Sequence, residues 1–319
     1  MIVATRASQL ATHQTDLVIS SLKNVHEELQ FKTEKISTHG DRDTRPFYVM
    51  DQIGVFEKEV NEKLLRYEAD FAVHSLKDLH AGISNKLIIA CIPKRERPND
   101  VFINNFDQNK MDHLLPNSII GTSSIRRAIQ IKTKYPHLKI KSIRGNIETR
   151  IKRSRENQFA GIILAEAGID RLKLNSQITQ RLSTSIFVPA PGQGALAIVC
   201  RKDDKEIIKL LKRIEHEKSS KEIMAERTLT ESIGAGCTVP LGALASIKTK
   251  EKVMSLSAIV YSIDGSKSVK VSKKLNLADP QKLGSIVAEE LISKGAKELT
   301  KDWNNNTNMN IDILNELIE

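Results

Sequence analysis

The chain has 319 residues, enough for two or three domains that each bury a core, which excludes a single small module. Charged residues make up 28% and apolar ones 40%, a globular rather than disordered composition, and no apolar run approaches the ~20 residues a membrane helix needs. The formal net charge of +10 favours an acidic partner, whether nucleic acid, a membrane surface or a polyanionic small molecule.

The first residues, Met1 to Arg6, show no leader pattern, and three cysteines without a C-x-x-C spacing predict a reducing, cytoplasmic setting. Ile2 to Thr5 reads as a strand. Ser8 to Val25 follows as an amphipathic helix, with Leu10, Ala11, Leu17, Val18, Leu22 and Val25 at helical spacing. Further strands are expected at Phe71–Val73, Leu87–Ile92, Ile119–Gly121, Leu138–Ile143, Gly161–Ala165 and Leu196–Cys200, with helices in most gaps, the alternation of βαβ units around largely parallel sheets. The polar segment Arg95–Asp100 predicts a crossover between lobes and Val188–Gly194 the return. After Lys218 the pattern changes to a helix at Ala225–Ile233, a strand at Val253–Tyr261, an Asp264-Gly265 turn, a second strand and a helix at Pro280–Lys297, a small α+β unit. Ile311 to Ile318 is apolar enough to dock as a short helix. The predicted boundaries are 1–94 with 195–213 for a first, discontinuous lobe, 99–188 for a second, and 217–319 for a smaller C-terminal α+β domain. Val3–Ser8 and Ile120–Ser124 both carry a strand into hydroxyl residues and a helix, which suggests two related lobes.

Thr5, Arg6 and Ser8, and again Thr122, Ser123 and Ser124, stand where a strand gives way to a helix. There they either face an anion with hydroxyls and backbone N–H groups or simply cap the helices, and capping is the commoner use. Arg126 and Arg127 follow the second turn, and Arg144, Asn146 and Arg150 follow the next strand, so guanidinium forks suited to carboxylate or phosphate gather at strand ends. The run from Asp70 to Asp78 delivers His74, Ser75, Lys77 and Asp78 to the strand end where ligands of open α/β folds bind. A carboxylate among cations there stays ionised and can stabilise a cationic intermediate or hand a proton to a leaving group; its plainer use is an ion pair with Lys77 or a cap on the next turn. His74 has no second ligand at metal spacing and reads as a structural histidine. Cys237, in Gly234-Ala235-Gly236-Cys237-Thr238, is expected to be reachable, whereas Cys91 and Cys200 sit in or beside apolar runs.

Six motifs in order, Ala4–Ala11, Ala72–Asp78, Gly121–Arg127, Arg144–Asn146, Pro191–Ala195 and Gly236–Gly242, closely resemble porphobilinogen deaminases, also called hydroxymethylbilane synthases. The resemblance implies an α/β fold of two periplasmic-binding-protein-like lobes plus the C-terminal domain, in a cytoplasmic monomer. It implies a transferase that condenses four porphobilinogen molecules, through azafulvene-like electrophiles and with loss of ammonia, then releases hydroxymethylbilane by hydrolysis. The implied cofactor is one dipyrromethane, thioether-linked to Cys237, with no metal, nucleotide, nucleic acid or membrane. Asp78 would be the catalytic carboxylate. Arg6, Ser8, Phe56, Ser75, Lys77, Thr122, Ser123, Ser124, Arg126, Arg127, Arg144, Asn146, Arg150, Arg171, Gln193 and Gly194 would bind cofactor and substrate. The lysines many relatives carry before Gly54-Val55-Phe56 are absent from Tyr48–Ile53, and Arg42 or Arg45 would have to replace their charge. A non-catalytic two-lobed anion-binding protein is the main competing reading; it has no need of Cys237. A nucleic-acid binder is disfavoured by an aromatic content of 4% and the lack of a stacking or helix-turn-helix signature.

Overall fold

The computed structural model describes residues 1–42, 56–80, 82–106, 110–156, 159–234, 239–276, 279–304 and 317–318. Cys237, Arg45, the Tyr48–Ile53 segment and all of the expected terminal helix before Leu317 lie outside the described residues, as does the side chain of Arg42.

The chain opens with β1 (Ile2–Arg6), then α1 (Gln9–Lys23), β2 (Lys32–Ile36), α2 (His39–Arg42), α3 (Lys58–Leu65), β3 (Phe71–Ser75) and β4 (Leu87–Cys91). Ser8 caps α1 by accepting the Ala11 N–H, and the helix buries Ala11, Gln14, Thr15, Val18 and Leu22. The helix ends at Lys23, short of the expected Val25, and two residues of the expected apolar face, Leu17 within the helix and Val25 beyond it, are each 42% exposed. Strand β2, Lys-Thr-Glu-Lys-Ile, was invisible to the apolar pattern; it is an edge strand parallel to β1, where one partner suffices and charges face water.

The second group comprises β5 (Asp100–Asn104), β6 (Ile119–Gly121), α4 (Ile125–Lys134), β7 (Lys139–Lys141), α5 (Ile147–Glu156), β8 (Gly161–Ala165), α6 (Glu166–Arg171) and β9 (Gln180–Arg181). Then β10 (Leu196–Arg201) and α7 (Lys205–Leu211) return to the first group. The two five-stranded sheets run β2-β1-β3-β10-β4 and β7-β6-β8-β5-β9. Each has three parallel strands followed by an antiparallel strand, β10 against β3 and β5 against β8, that arrives from the other half of the chain. The sheets are therefore mixed, within the parallel or mixed sheets that the resemblance implies, and β5 begins at the last residue of the stretch that reads as crossover.

A third group follows: α8 (Glu217–Ile233), the antiparallel strands β11 (Leu241–Lys248), β12 (Val253–Tyr261) and β13 (Ser268–Asn276), and the helices α9 (Pro280–Ser293) and α10 (Ala296–Asn304). Strand β11 was not anticipated, α8 begins eight residues earlier than expected, and the single helix expected to Lys297 breaks at Lys294-Gly295. Helix α8 ends on Gly234 in the left-handed conformation (φ 69°), immediately before the stretch that contains Cys237. One continuous core joins this unit to the second sheet, with Phe102, Ile120 and Ile129 in the same cluster as Leu229, Val260 and Leu283. The fold is thus α/β, with two lobes and a smaller C-terminal α+β domain. No helix among the described residues is long and apolar enough to cross a membrane.

Candidate active site

The carboxyl ends of β1 and β3 and the starts of α4 and α5 carry most of the residues singled out in the sequence. Arg6 ends β1 and lies over the Phe56 ring, 4.1 Å from its centroid. Ser75 ends β3, and its hydroxyl pairs with the buried Gln14 amide at 3.0 Å. A single 3₁₀ turn, Leu76–Asp78, then presents Lys77 and Asp78. This turn is held from below, since the Leu76 N–H donates to Ala195 O at 3.0 Å.

Lys77 and Asp78 of the first lobe lie in the electrostatic field of Arg127 and Arg150 of the second. Loss of hydration, reinforced by Arg127 and Arg150, pulls the Lys77 ammonium below its ordinary value, with Asp78 and Asp100 opposing. Lys77 is exposed, so water at its surface screens these fields. Arg150 is half-buried and brought down to about 10 by burial and by Arg127 and Arg144. Its Nε is buried with no hydrogen-bond partner among the described residues, a donor among cations and in the field of one carboxylate.

Several expected anion binders turn out to have protein partners. Ser8 is a helix cap, and Asn146 caps α5 by accepting the Thr149 N–H at 2.8 Å. Ser123 donates to Ile143 O at 2.7 Å and accepts the Ile143 N–H at 3.1 Å, fastening the ends of β6 and β7. The Thr122 hydroxyl accepts the Ser124 N–H, and Ser124 sits at the start of α4 without using its side chain as a cap.

Arg126 and Arg127 converge on the fully buried Asp100. Arg126 reaches Oδ2 at 2.8 Å, and Arg127 reaches Oδ1 through Nη2 at 2.7 Å and Nε at 3.0 Å. Burial alone would raise the Asp100 carboxyl, but the two guanidiniums outweigh it and hold it well below the usual carboxylate range. Arg126 also donates to Val188 O at 2.7 Å, so it faces the return linker. Arg171, whose value is lowered to about 10 by burial, donates to Gly194 O at 2.8 Å. Gln193 Nε2 reaches Pro98 O at 2.6 Å and Asp100 Oδ1 at 2.9 Å. Gly194 has φ +88°, and a Cβ there would stand 2.5 Å from Glu96 O, so glycine lets the two crossovers lie side by side. Gln193, Gly194, Arg126 and Arg171 therefore meet at the linkers, and the next residue, Ala195, accepts the Leu76 N–H of the turn that bears Asp78.

Asp100, Arg95 and Glu226, charges buried where the linkers and α8 come together, left no signal in the sequence beyond their polar flanks. His74 is as read: buried, bonded to Asn61 at 3.0 Å, and held neutral by burial and by Arg6, which bring it down to about 4.

Two family models match, the porphobilinogen deaminase dipyromethane cofactor binding domain over residues 1–209 and the porphobilinogen deaminase C-terminal domain over residues 220–293. A probable porphobilinogen deaminase of Nitrosopumilus maritimus (strain SCM1) is 46% identical over 302 residues, covering 95% of this chain and 96% of its own. The porphobilinogen deaminase of Synechococcus elongatus is 37% identical over 301 residues, 93% of each chain. That of Brevibacillus brevis is 40% identical over 299 residues, 93% of this chain and 95% of its own. Among solved structures, a YaeC-family lipoprotein of Enterococcus faecalis V583 is 17% identical, with a TM-score of 0.40 over 74% of this chain and 97% of its own. With two family models reaching from residue 1 to residue 293 and relatives of one name matched nearly end to end, this chain belongs to the porphobilinogen deaminase family.

Proposed function

We propose that the chain condenses porphobilinogen, with loss of ammonia, into hydroxymethylbilane, in a cytoplasmic monomer with lobes at 1–94 with 195–213 and 99–188 and a cofactor-carrying domain at 217–319. The single observation that carries this reading is the buried, unpartnered Nε of Arg150 among Lys77, Arg127 and Arg144, beside Asp78. Porphobilinogen bears an acetate and a propionate arm, and a net of guanidiniums with one carboxylate suits several such arms plus one developing cation. The same donor set fits a dipyrromethane, which when bound supplies a pyrrole α-carbon as primer.

Arg150, Arg144, Lys77, Arg127 and Arg6 hold the carboxylate arms, and Phe56 packs beside the pyrroles. Ser8, Ser75, Thr122, Ser123, Ser124 and Asn146 complete the walls. Asp78 accepts pyrrole N–H groups and stabilises the positive charge that develops as ammonia departs. Arg126, Arg171, Gln193 and Gly194 keep the two linkers in register so that Asp78 and Arg150 face each other. Cys237 is the attachment point. A reducing compartment agrees with Cys91 and Cys200, which are free and buried, with thiols pushed up to about 12 mainly by burial.

The test is an intact-mass spectrum of the denatured protein. Extra mass equal to two linked pyrrole units, lost in Cys237→Ser, is expected. An unmodified mass that also stays unchanged after incubation with porphobilinogen would sink the proposal.

A further inference from the structure

Glu57 is a carboxylate with no assigned role, and it is 7% exposed. It occupies the N-cap position of α3, where a side chain ordinarily closes on its own helix, yet it makes no such bond. Instead its Oε2 accepts the backbone N–H of His80 at 2.8 Å, two residues past Asp78. The carbonyl of the same His80 is approached by Arg227 Nη2 at 3.5 Å, from helix α8 of the C-terminal domain. Burial raises the Glu57 carboxyl; the His80 N–H and the charges of His80 and Arg227 oppose that, and Asp78 adds to it. Arg227 also pairs with Glu231 at 3.5 Å.

The turn bearing Asp78 therefore has an anchor on each side. Upstream, the Leu76 N–H is fixed to Ala195 O; downstream, the His80 N–H is fixed to Glu57. Glu57 directly follows Phe56, whose ring meets Arg6, so this anchor joins the aromatic wall to the carboxylate.

We propose that Glu57 is a positioning residue for the reaction: through the His80 N–H, with Arg227 steadying the His80 carbonyl, it holds the Leu76–Asp78 turn so that Asp78 addresses the reacting pyrrole. The proposal rests on the reading of Asp78 as the catalytic carboxylate.

A double-mutant cycle on the cofactor-loaded full chain tests it. Glu57→Leu removes the acceptor and His80→Pro removes the donor; Leu79, at φ −91° and ψ 122°, already has the backbone that a following proline requires. Each single variant should lower kcat about tenfold with KM for porphobilinogen within about twofold, because the turn acts on the transition state rather than on the arms. The double variant should be no worse than either single, since neither group then lacks a partner. Glu57→Gln, which still offers an acceptor, should recover most of what Glu57→Leu loses. Unchanged kcat in Glu57→Leu, or losses that multiply in the double variant, would overturn the proposal. If a single variant does not fold, recovery of folded protein in the double supports the pairing and its absence refutes it. Asp78→Asn, assayed alongside, separates the two readings. Should it keep turnover, the assignment of Asp78 fails; should it lose turnover while the Glu57 and His80 variants do not, only the positioning role fails.

Discussion

Arg95 of the first linker and Glu226 of helix α8 form a bidentate ion pair, at 2.6 and 3.2 Å, with side-chain exposures of 5% and 0%. The same carboxylate accepts the Gly192 N–H at 2.7 Å and the Ala245 N–H at 2.8 Å, and Arg95 Nε donates to Gln193 O at 2.9 Å. One side chain thus ties both linkers to β11. Removing its charge leaves a buried guanidinium uncompensated, so Glu226→Gln should destabilise the protein by about 3–5 kcal/mol. Chemical denaturation measures this, and a loss below about 1 kcal/mol, the scale of an exposed pair, would contradict the role given to this contact.

Asp78 lies in the field of Lys77 and Arg150. Asp78→Asn keeps its shape and removes the charge, so turnover should fall on the order of 10²-fold or more, the usual effect of deleting one preorganised electrostatic partner. Circular dichroism should match the parent protein, and the mass added by linked pyrrole units should be retained. A loss confined to KM would move Asp78 from the reacting centre to the binding wall.

Arg150 offers a buried Nε that Lys cannot reproduce. Arg150→Ala should raise KM for porphobilinogen roughly tenfold, the value of one charge-assisted hydrogen bond, and Arg150→Lys should fall between it and the parent. Steady-state kinetics at fixed ionic strength reads this, and equal KM values for all three proteins would remove Arg150 from the set that holds the carboxylate arms.

His74 predicts a pH dependence of stability. Its folded value of about 4 lies below the ordinary 6.5, so the imidazole is neutral in the folded chain and takes up a proton more readily when unfolded. Its contribution is fully present above pH 6.5 and is lost as pH falls towards 4, by roughly 3 kcal/mol in all. In His74→Gln the melting temperature should decline less steeply across that window. Parallel curves for the two proteins would show that His74 does not carry the effect.

The site was more legible in sequence than the fold that supports it. The run from Val73 to Asp78 shows a strand ending in polar groups, and the arginines after β6 and β7 mark the opposite wall, because strand ends concentrate function within short local patterns. The partners of those groups were not legible. Asp100 reads as a linker residue, and nothing local announces that Arg126 and Arg127 meet over it across 26 and 27 positions. Strand β2 escaped because an edge strand needs no apolar run. Glu57 escaped because its bond to His80 spans 23 residues and leaves no periodic trace.

The placement of β10 has a consequence for how the protein is made. Strands β3 and β4 leave the ribosome within the first 91 residues, yet the strand that lies between them, Leu196–Arg201, emerges about a hundred residues later. Until then the two share no hydrogen-bonded ladder, and the apolar faces of Phe71, Val73, Ala90 and Cys91 lack Ile198 and Cys200 to cover them. The half of the molecule synthesised first is therefore the half that cannot close first, and it waits, with an open seam available to chaperones or to wrong partners, for the chain to cross to the second sheet and come back.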